Sequence, residues 1–191
     1  AGWTFPEVGV FYGDYDLTTS LIDIPPEPPA IEPVFGSLEG DIIEVSGTSQ
    51  LVFGGDSDDL IDASIGSTGS NRIYAGSGDD TLILGNSDRL VGGEGADKFF
   101  TTNGSDNIIT GGEGADQFWI ATAEIPDAAN IITDFTSGED VLGIAGLGIG
   151  FDDLSITQQD DNTLIAANGS DLAILQGIGA ESLVVDNFVF V

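Results

Sequence analysis

Five aspartates recur at a near-constant interval: Asp41, Asp59, Asp80, Asp97 and Asp116 are 18, 21, 17 and 19 residues apart. Each is followed two residues on by a large aliphatic or aromatic residue, and most are preceded by closely spaced glycines. A carboxylate repeated at that interval, with glycine-rich backbone beside it, offers only oxygen donors. The rest of the chain narrows the chemistry further. It has no cysteine and no histidine, which removes thiolate and imidazole ligands and the usual catalytic bases. Carboxylate and carbonyl oxygens are hard ligands, suited to calcium or magnesium. Standard nucleophilic triads cannot be assembled, and no pair of carboxylates lies outside the spacing of these glycine-rich loops. The reading is therefore of a chain that is not an enzyme.

Charge points the same way. There are 33 Asp plus Glu against three Lys plus Arg, a formal net charge of −30. Such a chain repels nucleic acid and repels itself when compact. Bound divalent cations would relieve that repulsion. A generally acidic, solubilised surface is the plainer explanation of the charge, but it does not account for where the acids fall.

The glycine-rich units carry a resemblance. Gly92-Gly-Glu-Gly-Ala-Asp-Lys-Phe-Phe100 and Gly111-Gly-Glu-Gly-Ala-Asp-Gln-Phe-Trp119 follow the nine-residue pattern G-G-x-G-x-D-x-U-x, where U is large and apolar. This resembles the calcium-binding nonapeptide repeat of RTX proteins. Gly54-Gly-Asp-Ser-Asp-Asp-Leu-Ile-Asp62 departs at its fourth position and Ala75-Gly-Ser-Gly-Asp-Asp-Thr-Leu-Ile83 at its first. Between these units lie degenerate ones, with Asn71, Asp88 and Asp106 in the aspartate slot. The resemblance implies an all-β fold: a parallel β-roll, a calcium-bound solenoid, with two nonapeptides to a coil. The intact loops then share one edge and the degenerate loops the other.

In such a loop, glycines at positions one, two and four reach dihedrals closed to other residues, so that carbonyls can turn towards one cation. The expected ligand set is Asp41; Gly54, Gly55, Asp56 and Asp59; Gly76, Gly78 and Asp80; Gly92, Gly93, Gly95 and Asp97; and Gly111, Gly112, Gly114 and Asp116. Each loop supplies about half of a six-to-eight oxygen shell and the next coil supplies the rest. The middle residue of each short strand points inward, giving an expected core ladder of Ile43, Leu51, Ile61, Ile73, Leu82, Leu90, Phe99, Ile108 and Phe118. A metal-free solenoid with glycine turns is the alternative. It leaves the stacked carboxylates uncompensated.

Three regions are expected: an extended arm over 1–35, the roll over 36–119 and a non-repeating C-terminal β region over 120–191. Strand-like composition in the last marks Asn130–Thr133, Asp153–Thr157, Asn162–Ala166 and Asn187–Val191. Ile132-Thr-Asp-Phe-Thr-Ser-Gly-Glu-Asp-Val-Leu142 resembles a segment that follows RTX repeats in secreted bacterial proteins. By that resemblance Asp134 and Asp140 complete a last calcium site; the alternative is that both are turn and cap residues. The ending Phe188–Val191 resembles export signals read by type I secretion systems, which implies a secreted protein, extracellular or at the cell surface. No stretch is long enough to span a membrane as a helix.

The arm carries Trp3, Phe5, Phe11, Tyr12 and Tyr15 and ends in the proline-rich run Pro25–Pro33. In polyproline form, at about 3.1 Å per residue, that run spans about 28 Å. Its expected role is self-association through residues 1–33, making the chain a structural or assembly protein. The competing reading is a calcium-dependent folding and secretion module of a larger enzyme or adhesin. Ice binding would need a regular outward ladder of threonines, which the mixed outward positions lack. Outward positions also hold apolar stripes (Ile83, Phe100 and Trp119; Tyr74, Val91 and Ile109). These pack either under the C-terminal region or against another molecule. All three cations, Arg72, Arg89 and Lys98, fall at position seven, also outward, where an acidic segment such as Asp14–Asp16 or Glu27–Glu32 could pair.

Overall fold

The computed structural model describes residues 32–65, 69–102 and 104–191. Residues 1–31, which hold the aromatics and nearly all of the proline run of the arm, lie outside them. Short strands alternate between two sheets. In chain order they are β1 (Val34–Phe35), β2 (Ile42–Glu44), β3 (Leu51–Asp56), β4 (Leu60–Asp62), β5 (Arg72–Ser77), β6 (Thr81–Ile83), β7 (Arg89–Glu94), β8 (Lys98–Phe100), β9 (Ile108–Glu113), β10 (Gln117–Thr122), β11 (Asn130–Ile132) and β12 (Val141–Ala145). The C-terminal region adds β13 (Leu154–Gln159), β14 (Asn162–Ala167), β15 (Ser170–Leu175) and β16 (Phe188–Phe190). One sheet has the order β1-β3-β5-β7-β9-β11-β15-β14-β13 and the other β16-β12-β10-β8-β6-β4-β2. Every pairing from β1 to β12 is parallel. The fold is an all-β parallel β-roll, as expected.

Short strands with a buried second residue build the core. Ile61, Leu82, Phe99 and Phe118 climb one sheet, and Val52, Ile73, Leu90 and Ile109 climb the other, all essentially inaccessible to water. A fully buried side chain of this size contributes roughly 1.5–3 kcal/mol, and the ladder repeats that gain at every coil. Phe99 and Phe118 stack at 5.3 Å between ring centroids.

Two inward positions differ from expectation. Val52, not Leu51, and Ile109, not Ile108, face the core, because Val52 pairs with Ile73 and Ile109 with Leu90. The side-chain period of a strand is two, so a slip of one residue exchanges inside for outside. The outward stripe of this sheet consequently runs through Phe53, Tyr74, Val91 and Thr110 rather than through Ile109.

The two ends of the roll also depart from the sequence reading. Val34 and Phe35 pair with Val52 and Phe53, so the sheet starts two residues before position 36. β11 and β12 form one further coil, and β15 and β16 extend the two sheets in parallel beyond them. Among the named strands only the β13–β14 and β14–β15 pairings are antiparallel. Phe135 of the Thr-Asp-Phe motif is buried, with its ring centroid 6.3 Å from that of Phe118. Trp119 lies over Gly143, where a Cβ would meet the indole ring. One of the outward aromatics is thus covered by the C-terminal coil.

Candidate metal centre

A single hydrogen bond repeats along one edge of the roll. The backbone N–H of Asp41 donates to Oδ1 of Asp59 at 2.7 Å, that of Asp59 to Asp80 at 2.7 Å, and that of Asp80 to Asp97 at 2.9 Å. Asp97 donates in turn to Asp116 at 2.9 Å, and Asp116 to Asp140 at 2.9 Å. Six aspartates thus form one continuous ladder, with Asp140 as its last rung.

The second carboxylate oxygen distinguishes three of the interior rungs from the two end rungs. Oδ2 of Asp59, Asp80 and Asp97 is buried and has no hydrogen-bond partner. At the ends the same atom is held by local backbone. Oδ2 of Asp41 accepts from the Ser37 N–H at 2.6 Å, and Oδ2 of Asp140 from the Thr136 N–H at 2.7 Å. Asp134 accepts from the N–H groups of Gly111 and Gly112 at 2.9 and 3.0 Å. Asp134 thus reaches the glycine turn of the preceding coil, whereas Asp140 Oδ2 caps its own turn. Asp56 sits at the exposed lip, its Oδ1 accepting from the Ser77 hydroxyl at 3.1 Å.

Burial drives the electrostatics. It is the largest influence on each interior rung, pushing the Asp80 and Asp116 carboxyls up to about 7 and that of Asp97 up to about 6. The backbone hydrogen bond to each rung pulls the other way, while neighbouring carboxylates add repulsion. Asp59 and Asp140 are raised for the same leading reason. Burial thus makes the bare charge costly along this row, a cost that a proton or a cation would relieve.

Glycine makes room for the row. At the first loop position, a Cβ on Gly92 would fall on the Asp97 carboxylate; Gly54 and Gly111 stand in the same relation to Asp59 and Asp116. At the second position Gly93 has φ +132°, and a Cβ there would strike the Gly76 carbonyl oxygen of the coil below. Gly55, Gly76 and Gly112 share this left-handed conformation, as do Gly78, Gly95 and Gly114 at the fourth position. Among the described residues no three acidic side chains converge on one point. A cation on this edge would therefore draw most of its oxygens from turn carbonyls.

Hard oxygen donors, unpartnered buried carboxylate oxygens and glycine turns without room for a side chain together fit calcium. Asp58 and Asp79 form a second, outer row that the sequence reading passed over. The Asp79 N–H donates to Asp58 and the Ala96 N–H to Asp79, both at 2.8 Å. Acidic residues at the fifth loop position were its only sequence signal.

The opposite edge is chemically distinct. Backbone N–H groups of Gln50, Asn71, Asp88 and Asn107 donate to Oδ1 of Asn71, Asp88, Asn107 and Asn130 at 2.8–3.0 Å. Its rungs are amides except for Asp88, whose Oδ2 is likewise buried without a partner and whose pKa is raised by burial; what sets the acidic edge apart is the run of such carboxylates beside glycine turns. Asn107, not Asp106, occupies the slot, and Asp106 precedes it with φ +58°. Ser49, Ser70 and Ser87 occupy the same left-handed place before their own rungs. The turn is of another type, with no glycine pair at the second and fourth positions. The Asn107 side-chain NH₂ donates to the Gly85 carbonyl at 2.8 Å, satisfying with an amide proton an oxygen of the turn. This edge is not a worn copy of the acidic one.

The family model described as RTX calcium-binding nonapeptide repeat (4 copies) matches residues 53–88, 65–99 and 99–119. No curated protein matches the chain in sequence. Among solved structures, the extracellular lipase LipA of Serratia marcescens is similar at 15% identity, TM-score 0.36, over 84% of this chain. The chain spans only 40% of that lipase. The AlgE6R3 subunit of the Azotobacter vinelandii mannuronan C5-epimerase is similar at 26% identity, TM-score 0.40, over 85% of this chain and 86% of that one. The AlgE6R2 subunit of the same epimerase is similar at 24% identity, TM-score 0.35, over 84% and 93%.

Proposed function

We propose, from the match of residues 53–119 to the RTX calcium-binding nonapeptide repeat model, that the chain is an extracellular scaffold held together by calcium along its acidic edge. The observation that supports this most is the buried, unpartnered Oδ2 of Asp59, Asp80 and Asp97. These three carboxylates, with Asp116 and the carbonyls of their glycine turns, would hold the ions. Calcium would supply charge neutralisation and a link between adjacent coils. The chain's own residues do the rest. Oδ1 of each rung fixes the register of the coil before it. The glycines keep the turns close enough to share ligands. Asp41 and Asp140 close the two ends with backbone hydrogen bonds in place of a cation. The opposite edge joins the same coils through amide rungs and one carboxylate, Asp88.

The role is structural rather than catalytic, and assembly runs through residues 1–33. Open sheet edges at β1 and β2, with Phe35, Leu38 and Ile42 more than two-thirds exposed, support a roll that takes a further partner at this end. Deleting residues 1–33 and comparing sedimentation in saturating calcium tests this. A smaller species than the intact protein is expected. Equal size would refute assembly through the arm and favour a folding and secretion module of a larger secreted protein. Among the described residues no helix is long and apolar enough to cross a membrane.

A further inference from the structure

Arg72 and Arg89 are in-register neighbours on β5 and β7, and both are exposed. Strand spacing puts their backbones about 4.8 Å apart along the roll. Like charges directly opposite one another destabilise a sheet, and among the described residues neither arginine has an ion-pair partner. The in-register positions on either side are apolar, Leu51 and Ile108. These are two of only three cations in a chain of net charge −30. The pair opens into a cavity rather than onto a flat face. Both arginines line a notch of about 180 Å³ on the amide edge, together with Ser70 and Ser87. Both serines are exposed, with backbones at φ +66° and +54°, and among the described residues neither hydroxyl makes a hydrogen bond. A larger cavity of about 500 Å³ shares Ser70 and Arg72 with the notch and extends over Gln50 and Leu51. Two acids belong to the notch. Asp88 is buried there, its Oδ1 accepting from the Asn71 N–H, and Asp106 is exposed in the coil beyond Arg89. The approach to the pair that meets no exposed acid is therefore from the Gln50 side.

We propose that this notch is a binding site for a tetrahedral oxyanion, the sulfate or phosphate group of a small organic ester, bridged by the Arg72 and Arg89 guanidinium groups. A guanidinium offers its N–H donors as a planar fork. Two forks one strand apart present donors in two planes. That suits a tetrahedral group, with three oxygens to share, better than a carboxylate with two. The Ser70 and Ser87 hydroxyls donate to an oxygen that the forks leave over. The organic part of the ester lies over Gln50 and Leu51, away from Asp106, in a cavity of the size that small ligands fill. The anion relieves the repulsion between the arginines, so ligand binding and the pairing of β5 with β7 support each other. The site lies on the edge opposite the calcium row and depends on neither the calcium ligands nor self-association.

The test is isothermal titration of the calcium-loaded full chain with glucose sulfate, glucose phosphate, glucuronate and uncharged glucose, with circular dichroism confirming the fold of each variant. The wild type should bind one equivalent of ester, more weakly in high salt, and should not bind glucose; the ester bound more tightly identifies the group. R72Q/R89Q should weaken ester binding at least tenfold. R72K/R89K, which keeps the charge and loses the forks, should fall between. K98Q, which removes the cation of the other sheet, should bind like the wild type. A wild type that binds neither ester, or an R72Q/R89Q variant that binds them unchanged, would overturn the site. Loss in K98Q equal to that in R72Q/R89Q would overturn a local site in favour of overall charge, and glucuronate bound as tightly as the esters would overturn the tetrahedral group. A second measurement needs no variant: bound ester should slow the reaction of Arg72 and Arg89 with a dicarbonyl reagent, read by peptide mass, while an unslowed reaction would overturn the proposal.

Discussion

Asp97→Asn should change stability in opposite directions with and without calcium. The asparagine keeps Oδ1, so the 2.9 Å hydrogen bond from the Asp80 N–H survives. What disappears is a buried charge whose Oδ2 has no partner. In chelator at pH 7.5 the wild type must hold that carboxylate ionised although burial has moved its pKa from 3.8 to about 6. That displacement corresponds to about 3 kcal/mol, and water near the turn screens part of it, leaving on the order of 1–3 kcal/mol. The variant should therefore be more folded than the wild type when calcium is absent. In calcium held a thousandfold above Kd, losing one site removes about 4 kcal/mol, more than the charge relief returns, so the variant should be the less stable. Denaturant unfolding followed by circular dichroism, once in chelator and once in calcium, reads both signs. Destabilisation of equal size in both conditions would refute the claim that the buried charge is compensated by a cation. So would a calcium-loaded variant that matches the wild type.

Asp97→Ala and Asp88→Ala each orphan a buried backbone N–H, of Asp80 and Asn71 respectively, at about 1–3 kcal/mol. In thermal melts with calcium Asp97→Ala should lose more, and in chelator that excess should vanish; equal losses in calcium would contradict a one-edge cation row. Gly93→Ala meets both a left-handed backbone and the Gly76 carbonyl, whereas Gly138→Ala meets φ +90° with open space. The second should cost about 1–2 kcal/mol and the first clearly more, and comparable melting temperatures would count against close coil stacking. With pKa values raised in the folded state, Asp80, Asp97 and Asp116 bind protons more tightly folded than unfolded. Stability from them is full below about pH 4 and is lost as pH rises through 6–7. In chelator the protein should thus show more β structure at pH 5 than at pH 7.5, and the opposite order would refute the burial of these carboxylates.

The acidic edge was legible in sequence because its chemistry is local: a glycine pair, a third glycine and an aspartate within six residues fix both turn and rung. The amide edge was not, because its signal is a single rung residue preceded by a left-handed serine or aspartate, without glycine spacing. Counting strict nonapeptides put Asp106 in a slot that Asn107 fills, and the same one-residue slip turned Ile108 and Leu51 inward on paper. What sets the register there is a hydrogen bond between residues 19–23 apart in sequence, as from Asn107 to Asn130. The end rungs show a related limit. Asp41, Asp134 and Asp140 match the pattern of ligands, and the backbone N–H groups their carboxylates accept from, some of them on the neighbouring coil, carry no signal in the sequence.

The central claim is that calcium on the acidic edge holds this roll together, and a calcium titration of the chelated, full-length chain tests it most directly. Far-ultraviolet circular dichroism at pH 7.5 should show β structure appearing cooperatively as calcium is added, with magnesium much less effective, because folding and ligand binding are coupled. A spectrum that is fully β in excess chelator and unmoved by calcium would contradict it.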